Sequence, residues 1–332
     1  MDIVIAGGAG MIGSHLCEEL LERNHRVICL DNLCTGRLEN LASFRDHPRF
    51  QFVRHDVIDP LPPLPKIDRV YHLASPASPP GYARMPIETM RANSEGTRHL
   101  AELALANHGR FLFCSTSEIY GDPLEHPQAE SYRGNVSSIG PRSTYDEAKR
   151  FGEALTMAMV RSFGLDARIA RIFNTYGPRS DPHDGRVVVN LITQALRHEP
   201  LTIYGDGTQT RSLCYVTDLV DGLIRAMDSD RTRGEVINLG NPEEHTVLEF
   251  ARIIGDLVGS PSPLIFTEPA VGDDPRQRRP EIAKARALLS WEPHIRLMDG
   301  LKLTIADLRN ALRVTPARAE HAPHPNGAKI RA

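Results

Sequence analysis

Asp2-Ile3-Val4-Ile5-Ala6-Gly7-Gly8-Ala9-Gly10-Met11-Ile12-Gly13 stands at the head of the chain, and its reading decides the fold. A short apolar run, residues 2–6, ends in glycines at Gly7, Gly10 and Gly13, and residues 11–22 then carry helical periodicity. A strand that turns into a helix through glycines lets backbone N–H groups and the positive helix N-terminus approach a pyrophosphate closely. Glycine triplets alone also mark ordinary flexible turns. The context here is Asp31, which ends the next apolar run (27–30) and lies 18 residues past Gly13. A carboxylate at that place can accept hydrogen bonds from ribose hydroxyls and repels a 2′-phosphate, which favours NAD over NADP. Arg37 is near enough in sequence to temper that preference. The plainer alternative is a structural turn followed by a surface Asp. Gly7, Gly10, Met11, Ile12, Gly13, Asp31 and Asn32 are therefore the first candidate cofactor residues.

The alternation continues outward from this turn. Residues 50–53, 70–73 and 111–114 read as strands, and helical patterns cover 88–105 and 145–163. Repeated strand–helix units imply a parallel sheet covered by helices on both faces, a Rossmann-type doubly wound α/β fold. Asp56 and Val57 follow the third strand, where the Asp could accept from an adenine amino group or simply face solvent. Leu73 and Ala74 end the fourth strand, where such a sheet presents residues to its ligand. After residues 169–173 the pattern breaks into glycines, prolines and short apolar pieces through 174–211, and 236–239 looks like one more strand. Helical patterns resume at 248–258 and 282–289.

The expected organisation is an NAD-binding domain over 1–173, a substrate-binding segment over 174–212 and a return to the nucleotide domain over 213–240. A smaller, interleaved C-terminal substrate-binding domain follows over 241–313. Residues 314–332, rich in Pro, Ala and His without periodicity, read as a disordered tail.

Composition narrows the function classes. The chain has 332 residues, 41% hydrophobic and 24% charged, near ordinary globular values. A formal net charge of -3 gives no electrostatic case for nucleic acid or an anionic membrane as partner. No apolar run approaches the roughly 18 residues that a membrane span needs. A strand beginning at Asp2 leaves no room for a signal peptide, so a cytoplasmic location is expected. The five cysteines are odd in number and form no CxxC pair, as expected of reduced, mostly buried thiols. The 14 histidines are scattered without metal-ligand spacing, so no metal is expected.

Tyr145-Asp146-Glu147-Ala148-Lys149 places a tyrosine and a lysine on one helix face. A tyrosine is a poor base at its ordinary pKa of about 10. A neighbouring ammonium and a positive nicotinamide ring both favour phenolate and can bring it into working range. On its own the pair is as readily a surface pair. Upstream, Ser115-Thr116-Ser117-Glu118 closes a strand whose carboxyl end faces the same crevice. Thr116 can hydrogen-bond a hydroxyl undergoing oxidation, and Glu118 adds a charge beside it. A polar strand exit is the plainer reading.

Glycine turn, Asp31, Ser115 to Glu118 and Tyr145/Lys149, in this order and spacing, resemble the extended short-chain dehydrogenase/reductase family, and within it the UDP-glucuronate decarboxylases. The resemblance spans about residues 1–312. Its long segments include His72-Leu73-Ala74-Ser75-Pro76-Ala77-Ser78-Pro79-Pro80, Ile139-Gly140-Pro141-Arg142 and Arg171-Ile172-Phe173-Asn174-Thr175-Tyr176-Gly177-Pro178-Arg179. Related 4,6-dehydratases carry an Asp where Ser117 stands, and epimerases usually lack an acid at Glu118; Ser117-Glu118 resembles the decarboxylases.

The resemblance implies Tyr145 as base, Lys149 as its electrostatic activator and ribose clamp, and Thr116 as the group orienting the sugar hydroxyl. It pairs Glu118 with Arg278 for decarboxylation, placing the arginine through Asp273-Asp274-Pro275 and Arg278-Arg279-Pro280. Asn174, Arg179, Arg186, Tyr204 and Arg211 are the implied UDP-sugar residues. A homodimer formed through helices that include the Tyr-Lys helix is implied as well. Glu281, Ala148 and the loop around Arg133 and Ser137-Ser138 depart from the family's usual residues. The alternatives are another NAD-dependent nucleotide-sugar enzyme (a 4-epimerase, or a decarboxylase of a modified uronate) and a non-catalytic sensor of NAD or nucleotide sugars.

Overall fold

Seven parallel strands form the central sheet of the computed structural model, which describes residues 1–268 and 275–314. The first half contributes β1 (Asp2–Ala6), β2 (Arg26–Asp31), β3 (Phe50–Arg54), β4 (Arg69–His72), β5 (Arg110–Thr116) and β6 (Asp166–Ile172). Then come β7 (Thr175–Tyr176), β8 (Leu201–Tyr204), β9 (Thr210–Ser212), β10 (Cys214–Tyr215), β11 (Val236–Leu239), β12 (Glu244–Thr246) and β13 (Leu264–Thr267). The helices begin with α1 (Met11–Glu22), α2 (Pro79–Arg84), α3 (Pro86–Ala106) and α4 (Ser143–Phe163). They continue with α5 (Val187–Leu196), α6 (Val216–Asp228), α7 (Val247–Val258), α8 (Ala283–Leu289) and α9 (Leu297–Val314).

The sheet runs β11-β6-β5-β4-β1-β2-β3. Its order reverses between β1 and β4, and the crevice beyond the carboxyl ends there is where such sheets take their ligands. Burial on both faces explains the unbroken apolar reading of β1. Ile3 and Ile5 join one core with Leu16 and Leu20 of α1 and Leu219 and Leu223 of α6. Val4 and Ala6 join the opposite core with Leu100 and Ala104 of α3 and Met159 of α4.

Outside the sheet, β7 pairs with β10, β8 with β13, and β9 with β12. Here the structure departs most from the sequence reading. Residues 187–196, Val-Val-Val-Asn-Leu-Ile-Thr-Gln-Ala-Leu, form helix α5 inside the stretch 174–211 that read as glycines, prolines and short apolar pieces, and half of them are β-branched. Val188, Val189, Leu191, Ile192 and Ala195 are all buried, so tertiary packing overrides intrinsic preference. The short helix α2 and the helices α6 and α9 were also unassigned. Val314, where the tail was expected to begin, still belongs to α9; residues 315–332, with Asp273 and Asp274, lie outside the described residues. Among the described residues no helix is long and apolar enough to cross a membrane. Nor does any group of three or more His, Cys, Asp or Glu side chains there have an arrangement able to hold a metal ion.

Candidate active site

The glycine turn is shaped by backbone contact. Gly7 leaves β1 at φ 82°, and a Cβ on it would meet the backbone nitrogen of Ala74 at 2.7 Å. A Cβ at Gly13 would run into the carbonyl of Gly7. The turn therefore presses on the exit of β4, where the N–H of Leu73 donates to Ala6 at 2.8 Å. Asp31 is buried and accepts from the N–H groups of Ala9 (2.9 Å) and Leu33 (2.8 Å). Burial raises its pKa against the help of those two bonds. Asn32 donates to Asp56 at 2.8 Å, and Val57 is buried beside Gly96. A backbone cradle at a helix N-terminus, with an acceptor carboxylate at the end of β2, fits a dinucleotide. Nη2 of Arg37 engages Asn40 (3.1 Å) and the carbonyls of Arg179 (3.2 Å) and Ser180 (3.1 Å).

At the end of β5 the Thr116 hydroxyl accepts from the N–H of Glu118 at 3.3 Å and caps the 3-10 turn formed by residues 117–120. Tyr145 and Lys149 lie buried on α4. The Tyr145 ring stacks on Tyr82 of α2, with centroids 5.2 Å apart and planes within 8°. Lys149 donates from Nζ to the carbonyl of Cys114 at 2.8 Å, and its Nζ lies 5.9 Å from the Tyr145 ring centroid. Burial lowers the Lys149 pKa to about 8. Burial also raises that of Tyr145, and a hydrogen bond with Thr116 is the largest influence opposing it.

Glu118 is the centre of a buried group of charges. Arg278 donates from Nη2 to Oε2 of Glu118 at 3.1 Å and from Nη1 to the carbonyl of Gly121 at 2.8 Å. Arg142 pairs with the same Oε2. Burial opposes the Glu118 charge, but Arg278, Arg142 and Arg211 together outweigh it and hold the carboxyl at about 2. Asp146 lies 3.8 Å from Arg142, which still leaves guanidinium groups in excess and the group suited to an anion. Ser117 is buried, 3.4 Å from Oε1 of Glu118. Backbone pairing brings Arg278 here across the chain: Arg278 O accepts from Ser212 of β9 (3.2 Å), and Arg279 O from Gln128 (2.9 Å).

Other candidates divide. Arg186 precedes α5, forks onto Asp184 and has its charge felt by Tyr145. Asn174 follows β6, and its carbonyl accepts from Cys214 at 2.9 Å. Arg179 does not join the Glu118 group. It pairs with Glu18, reaches Ser43 at 3.3 Å and lies 5.7 Å from the Phe44 ring centroid. Tyr204 is 43% exposed at the end of β8 and also stands outside that group. Sequence reasoning gave no role to Arg142 or Tyr82. Arg142 closes one of the quoted segments three residues before Tyr145, a spacing that puts both on one helix face. Tyr82 follows another by two residues and carried no signal of its own.

Residues 3–240 match a family model described as the NAD dependent epimerase/dehydratase family. UDP-glucuronic acid decarboxylase 3 of Arabidopsis thaliana is 52% identical over 315 residues, covering 95% of this chain and 91% of its own. UDP-glucuronic acid decarboxylase 1 of Xenopus tropicalis is 47% identical over 329 residues, 99% of this chain and 77% of its own. Among solved structures, the UDP-glucuronic acid 4-epimerase of Bacillus cereus in complex with UDP-glucuronic acid and NAD superposes with a TM-score of 0.84 at 31% identity. That match covers 94% of this chain and all (100%) of the epimerase. The UDP-glucose 4-epimerase of Thermotoga maritima, with UDP-glucose, gives a TM-score of 0.86 at 31% identity over the same shares, 94% and 100%. By these matches the chain belongs to the NAD dependent epimerase/dehydratase family and, within it, to the UDP-glucuronic acid decarboxylases.

Proposed function

We propose that the protein decarboxylates UDP-glucuronate to UDP-xylose through a 4-keto sugar, with NAD held in the glycine cradle. The observation that carries this reading is Glu118, kept ionised by Arg278 and Arg142 next to the Tyr145–Thr116 pair. NAD, when bound, supplies the acceptor that oxidises C4 and the donor that later reduces it, so it is regenerated in each turnover. Tyr145 takes the proton of the C4 hydroxyl, which Thr116 orients, and returns it at the end of the cycle. Lys149, fixed on the Cys114 carbonyl, places positive charge near the phenol and a donor toward the cofactor ribose.

The ketone at C4 is β to the carboxylate. The electrons of the C5–C6 bond pass into an enolate as CO₂ departs, a proton added at C5 gives the 4-keto pentose, and reduction at C4, with the proton returned from Tyr145, completes the pentose. Arg278, its fork on Glu118 and the Gly121 carbonyl, sets positive charge toward the sugar carboxylate, and with Glu118 it positions the acid or water that protonates C5. Arg142, on the same Glu118 oxygen, shares in holding that carboxylate in place. Ser117 stands where a dehydratase would need an acid to expel a hydroxyl. Asn174, Arg186 and Arg211 serve the uridine diphosphate. For Arg179 and Tyr204, placed apart from the Glu118 group, we propose no contact with the sugar.

We further propose a cytoplasmic homodimer joined through α3 and α4. Ile87 and Met90 on α3, and Phe151 and Phe163 on α4, are between 45% and 66% exposed, which supports that face as one that a second copy covers. Light scattering of the purified protein tests it. For the reaction, UDP-glucuronate labelled with ¹³C at C6 separates the two enzymatic readings. Release of the label as CO₂ or bicarbonate is expected; label retained in an isomeric UDP-uronate would replace this reading with a 4-epimerase.

A further inference from the structure

Arg37 and Arg179 lie outside the reacting centre, yet they tie together the two parts of the molecule that enclose the cofactor cradle. Arg37 is anchored to the glycine turn: its N–H donates to Ala9 O at 3.0 Å, and Asn40, which accepts from Arg37, donates to the same carbonyl at 2.9 Å. From there it reaches the carbonyls of Arg179 and Ser180. Arg179 reaches back, pairing with Glu18 of α1. Its backbone N–H donates to Asp307 of α9 at 2.8 Å.

Residues 178–180 lie along one face of α1, starting at its first turn. Ser180 donates to Sδ of Met11 at 3.1 Å, His15 Nε2 is 3.3 Å from Pro178 O, and Glu18 holds the Arg179 guanidinium. Met11, His15 and Glu18 are spaced as successive turns of the helix. Arg179 has φ 66°, a left-handed conformation unfavourable for a residue with a Cβ. Such a conformation persists where the surroundings over-determine it, and it is a reason to look for function.

We propose that Arg37 and Arg179 form a clasp that holds residues 178–180 across the N-terminal turns of α1 and so retains the dinucleotide from one turnover to the next. This rests on the NAD reading above. A cofactor that is reduced and reoxidised within one cycle gains nothing from exchange, and losing it midway would release a keto sugar. The clasp also explains why a basic residue six positions after Asp31 does not serve a 2′-phosphate: Nη2 of Arg37 is bound to the opposite wall.

The test is the rate at which NAD leaves the desalted holoenzyme, followed with an NAD-hydrolysing enzyme as trap, together with the NAD content per protomer. Wild type is expected to keep NAD through desalting. Arg37→Ala and Arg179→Gly are expected to lose it about tenfold faster or more, a difference of about 1.4 kcal/mol. The glycine variant keeps the left-handed backbone easy while removing the clasp. In both variants the thermal midpoint stays near that of wild type, and saturating NAD restores kcat. Off-rates equal to wild type in both variants overturn the clasp, as does a faster rate that merely follows a fallen midpoint. A wild-type protein that neither holds nor takes up NAD overturns the cofactor reading and the clasp with it.

Discussion

Replacing Glu118 by Gln removes the carboxylate shared by Arg278 and Arg142 and leaves both guanidinium groups buried beside Arg211. The surrounding arginines overcome burial and bring the Glu118 carboxyl from 4.5 to about 2. Each pKa unit corresponds to about 1.4 kcal/mol, so ionisation in place favours the folded chain by about 3 kcal/mol. That agrees with the cost of about 3–5 kcal/mol for removing one partner of a buried ion pair. The sign follows from the depressed pKa: the contribution is complete above the ordinary value of 4.5 and is lost as pH falls toward 2. Urea unfolding of wild type and variant should therefore show a gap of about 3 kcal/mol near neutral pH, shrinking to about 1 kcal/mol near pH 3. A gap below about 0.5 kcal/mol at neutral pH, or one that does not change with pH, would refute the electrostatic account of this group.

Tyr145→Phe should keep nucleotide-sugar binding and lose roughly 10²–10⁴-fold in kcat, measured by product formation against binding calorimetry; retained turnover would remove Tyr145 from its role as base. Arg278→Lys keeps the charge but cannot serve both Gly121 O and Glu118 as a fork. A fall in kcat of roughly 10-fold or more with KM little changed is expected, and wild-type rates would show that a point charge suffices. Gly13→Ala drives a Cβ into the carbonyl of Gly7, so the purified variant should carry little NAD; full occupancy would contradict the cradle as described.

The sheet was legible because its signals are local. β1 and β2 are apolar runs buried on both faces, and the glycine turn announces the switch between strand and helix. The pair Tyr145/Lys149 was legible for the same reason, being one turn of one helix. What could not be read is long-range. Arg278 meets Glu118 only because residues 276–279 pair with β9 on one side and with Gln128 on the other. No spacing within the sequence reports that pairing; resemblance alone suggested it. The surroundings of Arg179 were hidden for the same long-range reason. The residue ends a recognised segment, but the backbone there turns left-handed, and Glu18 and Asp307 secure it against α1 and α9. Helix α5 was hidden among short apolar pieces, and its burial decides its conformation. In α9, Leu297, Leu301, Ile305 and Leu308 keep a buried helical stripe that the sequence displayed and the reading passed over.

The most direct test of the central claim is the mass of the nucleotide sugar formed from UDP-glucuronate in heavy water, with no reductant added. The account predicts a UDP-pentose that has lost CO₂ and gained one solvent deuterium at C5, with no net accumulation of NADH. A product of unchanged carbon content, or turnover only of a different nucleotide sugar, would contradict it.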